Sequence, residues 1–376
     1  MHLRTLSDLD DSQFDDKRVF VRVDFNVSIS NGTIGEDYRI RMSLPTIEYL
    51  TKRGAKVILG SHLGRPEGYE KKYSVAPVAK HLTEIIGRSR PPIRIANDCV
   101  GYEIEEQISK MSKGDILLLE NLRFHKEEES NDPEFSKKLA SLADIYVNDA
   151  FSTSHRKHSS TYGAAWMFDT RLAGFNLMKE VKYLSMIREN PVRPFTVVIG
   201  GVKIKDKIGA LEHLLPKADK VIVGGAAAYT FLKAKGLKTG KSIIDEEHIR
   251  WVEKALSAYG YKILLPSDHV CATSPNDTSV TMVSGDIPTG MSGFDIGNET
   301  VERYSAEVGS NGDGALFWNG PMGMFEIKVF SNGTINVAKS MALAFWRGSK
   351  TLIGGGATLR YLAGDDMPGL VILNGH

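Results

Sequence analysis

The sequence predicts an α/β protein with mostly parallel sheets, divided into two domains. Three observations carry this. Short apolar runs alternate along the whole chain with segments of helical pattern, the mark of βαβ units. The 376 residues exceed what one hydrophobic core ordinarily serves. The apolar runs also end in different chemistry in the two halves: polar and basic residues in the first, glycine in the second. In open α/β sheets ligands bind beyond the carboxyl ends of the strands. The first half therefore reads as a holder of a small polyanion. The second reads as a nucleotide site, where glycine, lacking a Cβ, lets the backbone come close.

The strands of the first half are read at Val19–Val23, Val57–Gly60, Ile116–Leu119 and Ile145–Val147. They lead to Asp24-Phe25-Asn26, to Ser61-His62-Leu63-Gly64-Arg65, to Glu120-Asn121-Leu122-Arg123, and to Asn148-Asp149 with His155 and Arg156 shortly after. Helical segments are read at Met42–Arg53, Val75–Ile86, Pro133–Leu142 and Leu177–Arg188. The domain joint falls in the helical stretch Asn176–Glu189, because Pro191 and Pro194 break the helix and restart an extended chain. Strands follow at Phe195–Ile199, Lys220–Val223, Lys262–Leu265, Ala315–Trp318 and Thr351–Ile353. They run into Gly200-Gly201, Gly224-Gly225, Asn319-Gly320 and Gly354-Gly355-Gly356.

Composition narrows the function classes. Hydrophobic residues make up 42% and charged residues 25%, and the net charge is +1, so no general basic field points to nucleic acid or a membrane surface. Cys99 and Cys271 lie far apart without a CxxC, which argues against a disulfide scaffold or zinc site and fits a reducing compartment. No apolar segment marks a signal peptide or approaches membrane-spanning length. A soluble cytoplasmic protein acting on small molecules is expected.

Gly236-Leu-Lys-Thr-Gly-Lys-Ser242 has the look of a phosphate loop, but Lys235 stands where the first glycine is needed and no strand precedes it, so it reads as a helix exit. His155-Arg-Lys-His158 reads as part of an anion site, since clustered cations repel a metal. Arg22, Arg39, Arg65, Arg123 and Arg156 could each form a surface ion pair, the usual fate of a lone arginine, but several of them follow strand ends, which favours an anion site. Their planar forks suit carboxylate and phosphate oxygens. Lys203 and Lys207 follow Gly200-Gly201, where a helix start is expected to present amides to nucleotide phosphates. No GxGxxG follows a strand, which disfavours a dinucleotide-dependent dehydrogenase.

In combination and order, the segments Arg22–Asn26, Ser61–Pro66, Leu119–Phe124, Asn148–Phe151 with His155-Arg156, Gly200–Lys203 with Asp206-Lys207, and Trp318–Glu326 resemble the phosphoglycerate kinase family of bacteria and eukaryotes. The resemblance implies two Rossmann-like three-layer domains facing each other across a hinged cleft. Residues 1–175 would bind 3-phosphoglycerate, 176–190 would form the hinge helix, 191–360 would bind nucleotide, and 361–376 would return to the first domain. It implies reversible phosphoryl transfer between 1,3-bisphosphoglycerate and ADP. Asp24, Phe25, Asn26, Arg39, His62, Leu63, Gly64, Arg65, Arg123 and Arg156 would hold the acid. Lys203, Lys207, Gly225, Gly293, Asn319, Glu326, Gly354, Gly355, Gly356 and Thr358 would serve the nucleotide. Arg39, Lys203 and Gly356 would act on the phosphoryl group in flight.

The chain departs from the family pattern mildly at Ser152, Ser154 and Val202. It departs strongly near its end. The family carries two glycine triplets separated by a strand and a helix, the first followed by an aspartate that contacts Mg²⁺. Here Ser349–Ile353 leads to one triplet and then directly to Ala357-Thr358, with no acid. Mg²⁺ is expected with the nucleotide but without a protein metal ligand, and Asp365 and Asp366 are not taken as substitutes. A relative that binds 3-phosphoglycerate without efficient turnover is the competing expectation.

Overall fold

The computed structural model describes residues 3–87, 93–277 and 279–374. Its strands are β1 (Arg18–Arg22), β2 (Ile29–Ser30), β3 (Thr33–Ile34), β4 (Lys56–Gly60), β5 (Arg94–Ile95), β6 (Ile116–Leu118), β7 (Ile145–Asn148), β8 (Arg171–Ala173), β9 (Phe195–Ile199), β10 (Lys220–Val223), β11 (Ile263–Leu264), β12 (Asp268–Ala272), β13 (Thr281–Ser284), β14 (Ser292–Ile296), β15 (Ala315–Asn319) and β16 (Lys350–Ile353). Its helices are α1 (Tyr38–Lys52), α2 (Ala76–Ile86), α3 (Tyr102–Ser109), α4 (Lys126–Ser130), α5 (Pro133–Ser141), α6 (Phe175–Glu189), α7 (Ile208–Leu214), α8 (Ala227–Ala234), α9 (Ile249–Tyr259), α10 (Asn298–Gly309), α11 (Asn332–Trp346), α12 (Gly356–Ala363) and α13 (Pro368–Val371). Among the described residues no helix is long and apolar enough to cross a membrane.

The chain divides into two compact units, Met1–Lys182 with Asp366–His376, and Tyr183–Asp365. The first boundary falls inside α6, and the second lies just beyond α12. Unit 1 is built on a six-stranded sheet of order β5-β6-β4-β1-β7-β8. Every neighbouring pair in it is parallel. Its central strands are buried on both faces, which is why they read as unbroken apolar runs. Val19, Val21, Val57, Leu59, Leu118 and Val147 pack with Ile47 and Leu50 of α1 and Val78 and Leu82 of α2. The α13 segment belongs to this unit: Asn148 Nδ2 donates to Gly369 O at 3.0 Å, and Gly369 N–H donates to Ser154 O at 2.9 Å.

Unit 2 has a parallel sheet of order β11-β10-β9-β15-β16 and a separate antiparallel sheet of order β13-β12-β14. The second sheet is absent from the sequence reading. Its strands lack an apolar run: β12 opens on buried Asp268 and His269, and β13 is largely exposed.

Buried acids on strands or just after them cap helices in both units. Asp149 Oδ1 accepts from Asn176 and Leu177 N–H at 2.9 and 3.2 Å, at the start of α6. Asp268 accepts from Glu299 and Thr300 N–H at 3.0 and 2.8 Å, at the start of α10. Asp295 accepts from Gly333 N–H at 2.8 Å, at the start of α11. Glu120 accepts from Val75 N–H at 2.9 Å and Ser74 Oγ at 2.7 Å, ahead of α2. Each places a carboxyl oxygen where orphan helix amides need an acceptor. Glu120 and Asp149 are thus structural, although their strand-end positions suggested ligand binding.

Candidate active site

In unit 1 the loops after β1, β4, β6 and β7 enclose a cavity of about 250 Å³. It is lined by Asn26, Arg39, His62, Gly64, Arg65, Arg123, Ser152, Thr153 and Arg156. Its volume lies just below the range of about 300–1,000 Å³ usual for drug-sized ligands. Four guanidinium groups and no carboxylate form its walls, so it suits a small polyanion.

Hydrogen bonds fix those walls. Asn121 is fully buried; its Oδ1 accepts from Leu63 and Arg123 N–H, both at 3.1 Å, and its Nδ2 donates to Leu63 O at 2.8 Å and Tyr73 O at 2.9 Å. It ties the loop after β6 to the loop after β4. Gly64 sits at φ +63°, and an added Cβ would strike the Tyr73 ring. Its N–H donates to Asn26 Oδ1 at 2.9 Å and its carbonyl accepts from Arg123 Nη1 at 2.6 Å. With its oxygen committed to Gly64, Asn26 offers the cavity its amide donors.

Arg39 pairs with Asp24, whose carboxylate also accepts from Ser152 Oγ at 2.6 Å. Arg123 is buried, which lowers its pKa below the ordinary arginine value, and its Nε lies 3.0 Å from Glu129. Burial, followed by the field of Arg22, Arg123, Arg156 and His158, holds His62 well below the usual histidine range. Burial and neighbouring cations likewise push His158 down to about 3. Both rings are neutral at physiological pH.

Seven of the ten residues expected to hold the acid line this cavity: Asn26, Arg39, His62, Gly64, Arg65, Arg123 and Arg156. Asp24 stands beside it as the partner of Arg39. Phe25 and Leu63 do not contribute side chains, because both are packed in the hydrophobic core. Only their backbones could face a ligand, and Phe25 N–H is already bonded to Ser61 Oγ at 2.9 Å. Ser152 and Thr153 line the cavity without having been singled out as binding residues. Their position between Ala150-Phe151 and Arg156 was the available signal.

The glycines of unit 2 behave differently from the sequence expectation. Those after β9, β10 and β15 pack on one another. Gly200 N–H donates to Asn319 O at 2.8 Å, Gly201 N–H to Pro321 O at 2.7 Å and Gly225 N–H to Met322 O at 2.8 Å. A Cβ on Gly200 would collide with the Pro321 carbonyl. One on Gly225, at φ +61°, would lie 2.6 Å from Gly201 N and 2.7 Å from Pro321 O. Gly293 lies on β14 against the Tyr229 hydroxyl, and Gly354 against the Thr358 side chain. At Gly225, Gly293 and Gly354 the missing side chain therefore makes room for the protein itself. Asn319 and Thr358 are buried, and Asn319 Nδ2 holds Gly354 O at 2.6 Å.

Gly355 and Gly356 are the open glycines of this set. Both are exposed at the start of α12, and an added Cβ would meet no atom within 4 Å. Lys203 and Glu326 are exposed, while Lys207 is buried with Nζ donating to Lys203 O at 2.9 Å. Burial lowers the Lys207 pKa, so an anion beside its ammonium is favourable. The chain after Gly201 turns first through a 3-10 segment, Lys205–Lys207, and the α-helix begins only at Ile208, beyond Lys203. The segment Gly236–Ser242 leaves α8 through Gly236 at φ +84° and uses Ser242 Oγ to accept from Gly293 N–H at 3.0 Å. A cavity of about 400 Å³ lined by Ser305, Ala306, Gly309, Ser310, Ser340, Leu343 and Arg347 includes none of the expected nucleotide residues.

Asp98, Cys99 and His125 form the one grouping of three possible metal ligands among the described residues. It is closed by its own bonds: His125 Nε2 lies 2.5 Å from Asp98 Oδ1, and buried Cys99 donates its thiol to Glu120 O at 3.1 Å.

A parallel α/β framework carrying a multi-arginine anion cavity at its strand ends, with basic and glycine-rich strand ends in a second unit, defines a phosphotransferase. The sequence profile of phosphoglycerate kinase matches residues 9–366. The chain is 43% identical over 402 aligned positions to the phosphoglycerate kinase of Dictyoglomus turgidum, covering 99% of each chain. It is 46% identical over 365 positions to that of Anaeromyxobacter sp. strain K, covering 95% of this chain and 89% of the relative. The solved phosphoglycerate kinase of Pyrococcus horikoshii superposes with a TM-score of 0.83 at 30% identity, over 99% of this chain and 98% of that one. The chain belongs to the phosphoglycerate kinase family. The D. turgidum alignment of 402 positions against 376 residues leaves at least 26 positions without a counterpart here.

Proposed function

We propose that the chain transfers a phosphoryl group reversibly between 1,3-bisphosphoglycerate and ADP, with the unit 1 cavity as the acid site. The observation that carries this is the cavity itself, with four arginines, a neutral histidine and an asparagine around about 250 Å³. A molecule with one carboxyl and one phosphate end matches those donors in kind and number. In the forward direction a β-phosphate oxygen of ADP attacks the acyl phosphorus. The bond from phosphorus to the carboxyl oxygen breaks, and its electron pair stays on the carboxylate of 3-phosphoglycerate. No proton has to move, so the protein works by placement and charge. Arg39 would leave Asp24 to meet the transferring group, while Arg65, Arg123, Arg156, His62 and Asn26 hold the acid.

Lys203, Lys207 and the open amides of Gly355-Gly356 would receive the nucleotide phosphates, and Glu326 the ribose. Asn319, Gly225, Gly293, Gly354 and Thr358 would shape that surface from behind. Mg²⁺ enters as part of the nucleotide substrate. Ala357 and Thr358 supply no carboxylate after the glycines, and Asp365 pairs with Arg360 at the far end of α12. The ion would therefore keep phosphate and water ligands. Closure of the two units around α6 during turnover, a monomeric state and a cytoplasmic location complete the proposal.

A coupled assay with 1,3-bisphosphoglycerate and MgADP tests it. Turnover that falls on the order of 10²–10³-fold in Arg39→Ala supports the reading. Folded protein without turnover above background overturns it.

A further inference from the structure

We propose that Arg22 is a positioning residue for His62: anchored from behind by Ser160 and Glu128, it holds the His62 imidazole neutral with its proton on Nε2. His62 then meets a bound anion as a hydrogen-bond donor and not as a further cation.

Arg22 ends β1 and is 1% exposed, so it cannot touch a ligand in the cavity. Its Nε donates to Ser160 Oγ at 2.8 Å and its Nη1 to Val23 O. Its Nη2 lies 3.1 Å from His62 Nδ1. A guanidinium has donors only and stays protonated, so Nδ1 must be the acceptor of this contact. A neutral ring whose Nδ1 accepts carries its proton on Nε2, the nitrogen left for the cavity that His62 lines.

The anchor behind Arg22 is built as carefully as the contact in front. Glu128 is fully buried; its Oε2 accepts Ser160 N–H at 2.9 Å and its Oε1 accepts Ser160 Oγ–H at 2.5 Å. A buried guanidinium needs such a compensating carboxylate. The charged and titratable groups acting on His62 are Arg22 from β1, Arg123 from the loop after β6, and Arg156 and His158 from the loop after β7. None of these is an acid. Glu128 reaches His158 at 4.0 Å and Arg22 through Ser160.

Phosphate and carboxylate oxygens only accept hydrogen bonds at neutral pH. The opposite tautomer would aim a lone pair at them. A protonated ring would add charge to a wall that already holds four guanidiniums. Arg22 excludes both states without entering the cavity.

The test begins with ¹⁵N-histidine NMR on the ligand-free full chain, with His62 assigned by the signal missing in His62→Gln. From about pH 5 to pH 8 the ring is expected to stay neutral with the proton on Nε2. Titration near the ordinary value of about 6.5, or a proton on Nδ1, overturns the proposal. Arg22→Ala should release the ring, giving mixed tautomers and a visible titration, and Arg22→Lys, which keeps a donor, should restore the single tautomer. A folded Arg22→Ala protein with an unchanged ring spectrum also overturns it. If that variant does not fold, the wild-type titration decides alone. The kinetic consequence rests on the acid-site reading: Arg22→Ala should raise KM for 3-phosphoglycerate about tenfold, the effect of losing roughly one net hydrogen bond, with kcat within about twofold. The spectra need no substrate, so failure of that reading would leave the tautomer result standing.

Discussion

Unit 1 keeps open space at its strand ends, and unit 2 fills most of it. In unit 1 the loops after β1, β4, β6 and β7 are fastened to one another at a few points, through Asn121, Asn26 and Gly64, and a cavity remains between them. In unit 2 the glycines after β9, β10 and β15 are drawn together until backbone meets backbone, and of the glycines expected to serve the nucleotide Gly355 and Gly356 stay clear. The difference teaches that glycine at a strand end has two physical uses. It can admit a ligand, or it can admit a neighbouring loop. Only the occupied volume beside the missing Cβ tells them apart.

The largest effect expected from this contrast is in Gly200→Ala. Its methyl group would meet the Pro321 carbonyl, a rigid neighbour, and unit 2 should lose about 3 kcal/mol or more. Gly355→Ala should change stability by no more than about 0.5 kcal/mol while weakening nucleotide binding. Urea melts and MgADP titrations of the two variants check the pair. Similar melting curves for both would break the distinction between packed and open glycines.

Next in size is Arg39→Ala, on the open side of the comparison. Meeting charge that develops in transfer, Arg39 should cost on the order of 10²–10³ in kcat when removed, with little change in KM for nucleotide. Steady-state kinetics with both substrates varied decide it. An unchanged kcat with a raised KM for the acid would make Arg39 a ground-state clamp.

Asp149 and Asp295 put one buried helix cap in each unit, and burial raises both to about 7. A carboxyl with a raised folded pKa binds more protons folded than unfolded between about pH 4 and pH 7. Stability should therefore fall as pH rises through that window and level off above it, by a few kcal/mol in all. Asp149→Asn and Asp295→Asn should each remove part of the slope. Thermal melts across the window, with no difference in slope between variants and parent, would count against the buried caps.

The smallest effect is expected from Ser152→Gly. It deletes the hydroxyl that bonds Asp24 at 2.6 Å at the cavity edge. Freed from one partner, Asp24 should grip Arg39 more tightly, raising KM for the acid about two- to threefold, roughly the scale of a partly exposed hydrogen bond. A fall in KM would show that the hydroxyl itself crowds the ligand.

Much of this fold was legible in the sequence because its parallel strands are buried on both faces. Val19–Val23, Val57–Gly60, Phe195–Ile199 and Ala315–Trp318 announce themselves as apolar runs for that reason. The antiparallel sheet β13-β12-β14 was not, since His269 and Asp268 interrupt one strand and solvent faces another. The arginines of the cavity were legible as residue types at strand ends. The roles of Glu120, Asn121 and Asp149 were not, because a polar residue at a strand end looks the same whether it faces a ligand or a helix terminus from another part of the chain. The close packing of Gly225 on Pro321 joins residues 96 positions apart, and that on Gly201 joins two strand ends across an intervening helix, which no local pattern encodes.

The segment Asp366–His376 gives unit 1 an order of assembly. Asn148, wholly buried at the end of β7, obtains Gly369 O as a partner only when α13 arrives, and Leu3 bridges to Asn374. During synthesis all of unit 2 emerges before those residues do. At about 5–20 residues per second, ribosomes leave unit 1 unfinished for tens of seconds after its first 182 residues are made. A nascent chain would thus complete its second-made unit first, and the earlier unit would wait for the last turn of helix to close over Asn148.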